Sequence, residues 1–213
     1  MKILILTGHD GVPYGPIAEA SYREYASRHG YWFQCAKLLP ASEGRGHPAW
    51  QKLALVENAI IANFGGWVLW VDADSLVTNH KLPISDETTM RSDWMLVSRD
   101  WSDGESPWSS GVMLIRACDE ALVFFAVAQE HAQWRDAGCF DQSAMHQVCR
   151  ERPKLAEGIN ILPRRVLQSV PREVSDGVVD PWKPGDFIAH FTAMEAPRRV
   201  ELMTRYAAQH VIR

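Results

Sequence analysis

The chain has 213 residues, 46% hydrophobic and 23% charged, enough apolar material for one globular domain or one domain with a small appendage. Its 22 basic and 26 acidic residues leave a net charge of −4, so the molecule as a whole has no electrostatic bias toward nucleic acid or an anionic membrane. No run of ~18 apolar residues is present to span a membrane, and four scattered cysteines (Cys35, Cys118, Cys139, Cys149) without a CxxC pair argue against a zinc site or a disulfide framework.

Lys2 to Leu6 reads as a first strand, apolar and β-branched, opening into a loop with Gly8, Gly11, Pro13, Gly15 and Pro16. Ile17 to His29 reads as a helix closed by Gly30, and Tyr31 to Ala36 as a second strand. A Gly- and Pro-rich loop from Pro40 to Pro48 leads to a helix from Trp50 to Ala62. Its period puts Leu53, Val56, Ile60 and Ile61 on one face, and Gly65-Gly66 stops it. The run from Trp67 to Val71 reads as a buried parallel strand ending on Asp72-Ala73-Asp74. Strand, helix and strand in alternation predict a parallel sheet with right-handed crossovers.

The pattern then changes. Trp94 to Ser98 and Val112 to Ile115 read as short strands, with a loop from Trp101 to Ser110 between them. Helices follow from Asp119 to Ala137 and from Asp141 to Arg150. Asn160 to Leu162 and Phe187 to Phe191 read as late strands, and Val200 to His210 as a closing helix. The expected architecture is α/β and a single domain over 1–213: a nucleotide-binding half, 1–80, and a mixed half, 81–213, fused over one sheet. The thiols are expected to be reduced and mostly buried, as in a soluble cytoplasmic protein. Several of the nine tryptophans fall near loops, as suits a pocket that stacks on ring-shaped ligands.

Asp72 and Asp74 carry the chemistry. In open α/β sheets ligands bind at the carboxyl ends of the strands, and two carboxylates one residue apart are hard ligands for Mg²⁺ or Mn²⁺ beside a diphosphate. The competing reading is a solvated Asp-x-Asp turn. His190 closes a late strand and is a candidate nitrogen ligand, against the alternative of a satisfied core histidine; His9 and His47 compete with it. Arg198 and Arg199 suit bidentate contact with a diphosphate, or are surface arginines at a helix start. Ser109-Ser110-Gly111 lets backbone approach a ligand closely, though it also marks any turn. Asp141-Gln142 opens a helix, where Asp141 is either an N-cap or a sugar-facing group. Arg150, Arg152, Lys154, Arg164, Arg165, Arg172, Arg198, Arg199, Arg205 and Arg213 gather in the second half, either as a solvated basic face or as a local anion site.

Six ordered pieces resemble a known family: His47 to Lys52, Trp70 to Asn79, Ser109 to Arg116, Asp141 to Ala144, Ile161 to Val166 and Gly185 to Phe191. Together they resemble GT-A-fold glycosyltransferases, most closely the galactosyl-, mannosyl- and xylosyltransferases of yeast Golgi and plant xyloglucan synthesis, from about His47 onward. The resemblance implies a GT-A-like fold with a mixed, mostly parallel sheet, a UDP- or GDP-sugar donor, a glycan or other hydroxyl acceptor, and Mn²⁺ (or Mg²⁺). It implies metal ligation by Asp72, Asp74 and His190, with Asp72 also near ribose. Thr7 would touch the nucleotide. Lys52, Arg198 or Arg199 would hold phosphate. Ser110 and Gly111 would line the donor sugar, and Asp141 and Gln142 would face the anomeric carbon.

The reaction expected is transfer of a hexose or pentose to a hydroxyl. If it inverts, Asp141 is the candidate general base. If it retains, as the resembling family does, Asp141 and Gln142 stabilise the sugar without taking the proton. Three rivals stand beside this reading. A haloacid-dehalogenase-like phosphatase also ends a strand on Asp-x-Asp, but it needs a second acidic pair that the sequence lacks. A sugar nucleotidyltransferase needs a basic residue in the first Gly-rich loop, and Gly8-His9-Asp10-Gly11 has none. A non-catalytic sugar-binding module would suit the tryptophans and leave Asp72, Asp74 and His190 unexplained.

Overall fold

A computed structural model describes residues 2–43, 46–84, 92–104 and 106–212. Arg213 and parts of the expected loops at 40–48 and 101–110 lie outside the described residues. Strands β1 (Ile3–His9), β2 (Trp32–Lys37), β3 (Trp67–Val71), β5 (Met95–Arg99), β6 (Trp108–Arg116) and β7 (Ile159–Leu162) form one sheet in the order β2-β1-β3-β6-β5-β7. The β1–β2, β1–β3 and β5–β7 pairs are parallel, and β6 runs antiparallel to both of its neighbours. The sheet is therefore mixed and mostly parallel, as expected. A separate antiparallel pair joins β4 (Ser75–Val77) to β8 (Ile188–His190).

Alternation along the central strands builds two cores. Ile3, Ile5, Leu69 and Val71 point to one face and pack with Tyr22 and Tyr25 of helix α1 (Gly15–His29) and with Leu202, Met203 and Tyr206 of helix α6 (Ala196–Gln209). Leu4, Leu6, Val68 and Trp70 point to the other face. There they meet Leu53, Val56 and Ile60 of α2 (Lys52–Ala62) and Phe124 and Phe125 of α3 (Asp119–Glu130). Each such fully buried side chain contributes about 1.5–3 kcal/mol of transfer free energy. Helix α4 (Asp141–Glu151) and the short α5 (Pro153–Ala156) precede β7.

Several expectations needed tertiary correction. Ile61 is 59% exposed, because one step past Ile60 turns the side chain about 100° away from the sheet. The helix expected to reach Ala137 ends at Glu130: His131 leaves the helical region and a 3₁₀ turn, Ala132–Trp134, follows. From Gln129 to Ala137 no residue is fully buried, and Trp134 packs partly against the core from the 3₁₀ turn, so packing no longer supports a continuous helix. The loop placed at 101–110 loses its last three residues to β6, because Trp108 and Ser109 pair with Arg99 and Ser98 beyond a bulge in β5. The tryptophans are mainly core: Trp50, Trp67, Trp70, Trp94 and Trp108 are buried. None of the four cysteines is fully buried, and Cys139 is exposed.

Candidate active site

The carboxyl ends of β1 and β3 open onto a cleft of about 650 Å³. Asp72 and Asp74 follow β3 directly, as its apolar run predicts. Register delivers the rest. The β4–β8 pair sets Ser75 opposite His190, and the Phe191 amide donates to the Asp74 carbonyl (2.8 Å). His190 therefore lands beside Asp74 across 116 residues of sequence, with Nε2 3.1 Å from Oδ1. On the other side Val71 pairs with Val112, and the Asp72 amide donates to the Gly111 carbonyl (2.8 Å). Gly111 is required here: a Cβ would come within 2.2 Å of the His190 ring. Asp72, Asp74 and His190 each offer a ligand atom within 4.8 Å of the others.

A second cluster faces this trio. Lys52, 2% exposed, places Nζ 2.9 Å from Asp72 Oδ1 and 2.8 Å from Asp141 Oδ2, and donates to the Ser110 carbonyl (3.2 Å). The Ser110 hydroxyl donates to Asp141 Oδ2 (2.9 Å), and its amide donates to Gln142 Oε1 (2.8 Å). Gln142 Nε2 in turn donates to Ser106 Oγ (2.7 Å). Asp141 is not a cap: Phe140 holds the N-cap position, and no side-chain capping bond forms. Phe140 has φ 49°, a strained conformation for a non-glycine residue, and stacks face to face on His47 with ring centroids 3.7 Å apart.

Charge is tightly balanced. Burial works against ionisation of Asp74, but the charges of His190, Arg199 and Lys52 outweigh it and hold its carboxyl at about 2. Burial also opposes charge on His190, yet Asp74 raises its pKa above the ordinary imidazole value. Burial pushes Asp72 up, and Asp74 and Asp141 add to this against the pull of Lys52. Burial disfavours the Lys52 ammonium, but Asp141 and Asp72 keep it firmly protonated.

The remaining expected residues divide. Arg199 lines the cleft: it bonds the Phe191 carbonyl (2.8 Å) and the Tyr14 hydroxyl (2.8 Å), and lies 3.5 Å from Asp74 Oδ2. Arg198 points away and pairs with Glu201 at the surface. Lys52 is committed to two carboxylates and Ser110 rather than open to a phosphate. Thr7 lies beneath the cleft, 1% exposed and with its hydroxyl unpartnered; Gly8, His9 and Asp10 of the same strand end line the cleft instead. Among the described residues the other second-half cations do not gather there: Arg164 pairs with Asp103, Arg165 with Asp186 and Arg205 with Glu173. Three contributors were missed. The Trp70 indole donates to Asp72 Oδ1 (2.7 Å), the Tyr22 hydroxyl lies 2.8 Å from the Asp72 carbonyl, and Tyr14 stacks under Arg199. Trp70 was legible, being two residues before Asp72 in the strand; Tyr14 and Tyr22 carried no signal.

The chain's structure matches a glycosyltransferase involved in the glycosylation of the major capsid of PBCV-1, with a TM-score of 0.73 at 20% identity over 96% of this chain and 100% of that one. The fold is that of the GT-A glycosyltransferases. A galactosyltransferase, LgtC, solved with donor and acceptor sugar analogues, matches at TM-score 0.56 and 13% identity over 100% of this chain and 97% of that one. GlyE of Streptococcus pneumoniae matches at TM-score 0.59 and 12% identity, over 97% of this chain and 60% of its own. No curated protein matches the sequence. The galactosyl transferase GMA12/MNN10 family model matches residues 2–96, which contain the His47 and Asp72 motifs. The match thus begins well before His47, and the motifs from Ser109 onward lie beyond it. The family model spans under half of the chain, and the solved structures that share its fold are glycosyltransferases.

Proposed function

We propose that the chain transfers a hexose or pentose from a UDP- or GDP-sugar to a glycan hydroxyl, with retention of configuration and with Mn²⁺ or Mg²⁺ held by Asp72, Asp74 and His190. The observation that carries this reading is the convergence of Asp72, Asp74 and His190 on one side of the cleft with Asp141, Gln142 and Ser110 on the other. The donor set fits: two carboxylates and an imidazole suit Mn²⁺ in particular, and the crowding that pushes Asp72 up is relieved by a cation. When bound, the ion supplies positive charge at the diphosphate leaving group.

Residues 1–80 hold the nucleotide, and 81–213 supply the acceptor side together with His190. Arg199, stacked on Tyr14 and aimed into the cleft, takes a diphosphate oxygen. Lys52 positions Asp72 and Asp141 relative to each other. Gly111 and Ser110 border the donor sugar, with Gln142 and Asp141 near its anomeric carbon. Retention is favoured because Asp141 Oδ2 is already occupied by Lys52 and Ser110. A carboxylate held in this way is a fixed negative charge that suits an oxocarbenium-like centre.

Thermal unfolding with UDP and with GDP, each with and without Mn²⁺, tests the reading. A ligand at ~100 times its Kd adds about 2.7 kcal/mol of stability. Stabilisation by one nucleotide only when Mn²⁺ is present is expected. Equal stabilisation without metal overturns the ion's role, and no response to either nucleotide overturns the donor class.

A further inference from the structure

The ends of β1 and β2 and the second turn of α1 bring together a trio that the transfer chemistry leaves unused. His9, Glu19 and Cys35 offer an imidazole nitrogen, a carboxylate oxygen and a thiol sulfur within 4.8 Å of one another, all three half-buried. The parallel β1–β2 register sets Thr7 opposite Cys35, so His9 lies two residues further along the same edge. Gly15 lets the His9 ring lie against the start of α1: a Cβ there would come within 2.7 Å of Nδ1. His9 Nε2 faces Glu19 Oε2 at 3.9 Å. The other Glu19 oxygen is held by Arg23 at 2.6 Å, which orients Oε2 toward the trio. Burial, and then the Glu19 charge, push the Cys35 thiol up to about 11, so it keeps its proton until something replaces it.

We propose that His9, Glu19 and Cys35 form a second metal site, for a borderline divalent ion such as Zn²⁺, with water in the fourth position. Thiolate and imidazole select such an ion over Mn²⁺ and Mg²⁺, whereas the Asp72–Asp74–His190 trio has no sulfur. On binding, the Cys35 S–H bond breaks, its electron pair goes to the ion and its proton leaves to solvent. His9 ligates through Nε2 and carries its proton on Nδ1. The exposed Gly11 amide, which donates to Nδ1 at 3.2 Å in the metal-free protein, is then released to water. Single-cysteine ligation is invisible to a search for paired cysteines, because the three ligands belong to three different elements. His9 also lines the cleft, so a bound ion fixes a side chain at its rim.

Cobalt is the probe, because a cobalt–thiolate bond gives a near-ultraviolet charge-transfer band that oxygen and imidazole ligands do not. Titrating the full chain with Co²⁺ should give this band, saturating at one ion per chain and displaced by Zn²⁺ but not by Mn²⁺. Cys35→Ser should abolish it. His9→Gln and Glu19→Gln keep the sulfur and should weaken cobalt binding about tenfold or more. Asp74→Asn should leave the band intact, which separates this site from the proposed catalytic ion. Absence of the band in the unsubstituted chain, or its persistence in folded Cys35→Ser, overturns the proposal.

Discussion

Two aspartates of the same cleft have opposite settings. Asp74 keeps 17% of its side chain exposed and is flanked by a histidine and an arginine that pull its carboxyl down. Asp141 keeps 4% exposed, with Oδ2 taken by Lys52 and Ser110. Asp74 is a ready anion with room beside it, as cation binding requires. Asp141 is locked in a network, and in the proposed reaction it acts by where it is held. One side of the cleft is built to receive charge and the other to fix geometry, so substitutions on the two sides should fail differently.

The largest effect is expected where the two sides join. Lys52→Met leaves the buried Asp141 and the half-buried Asp72 without their cation, and should cost about 3–5 kcal/mol of stability by urea unfolding at pH 7. A loss under about 1 kcal/mol would mean that the network is not what holds the cleft together. Asp74→Asn should keep the fold and lower transfer by about 10²–10³-fold, together with the loss of Mn²⁺-dependent nucleotide stabilisation. Near-normal turnover in that variant would remove Asp74 from the ion site.

The third expectation concerns pH. Asp74 sits at about 2 in the folded protein against 3.8 for an unperturbed group. Its depressed pKa therefore contributes stability, on the order of 2 kcal/mol, that is present above about pH 4 and lost as pH falls toward 2. His190 is shifted upward, so its contribution runs the other way: present below 6.5 and lost as pH rises through its folded value. In metal-free protein, unfolding free energies measured across pH 2–8 should show both limbs. Asp74→Asn should flatten both, since each limb comes from the same pair. The smallest effect separates the two neighbouring arginines. Arg199→Lys should weaken nucleoside diphosphate binding by about tenfold, through loss of the planar fork and the stack on Tyr14. Arg198→Ala should change stability and binding by no more than about 0.5 kcal/mol. Equal losses from both would refute the division between them.

The histidines show how sequence alone misjudges a side chain. His146 and His190 are both buried late in the chain. His146 bonds the Trp108 carbonyl, and burial pushes it down to about 4, the behaviour of a satisfied core histidine. His190 meets a carboxylate and is pushed the other way. Nothing adjacent to either residue distinguishes them; the partner does, and it lies 38 residues away for one and 116 for the other. Lys52 gave the same kind of surprise: a cation in a motif suggests a phosphate, but its depth puts it between two aspartates.

Local sequence determined the strands that open the chain, the Asp-x-Asp at the end of β3, most of the helix expected over 50–62 (its first two residues belong to a 3₁₀ turn) and the mostly parallel α/β character, because apolar periodicity and Gly punctuation act over a few residues. Motif order also carried the glycosyltransferase resemblance. Tertiary structure alone decided that His190 completes a trio with Asp72 and Asp74, that Arg199 faces the cleft and Arg198 does not, that Lys52 bridges instead of binding outward, and that Trp108 to Ser110 are strand. Each of these depends on register between segments far apart in the chain, and register is set by which faces can be buried together, a property of the packed sheet and not of any one segment.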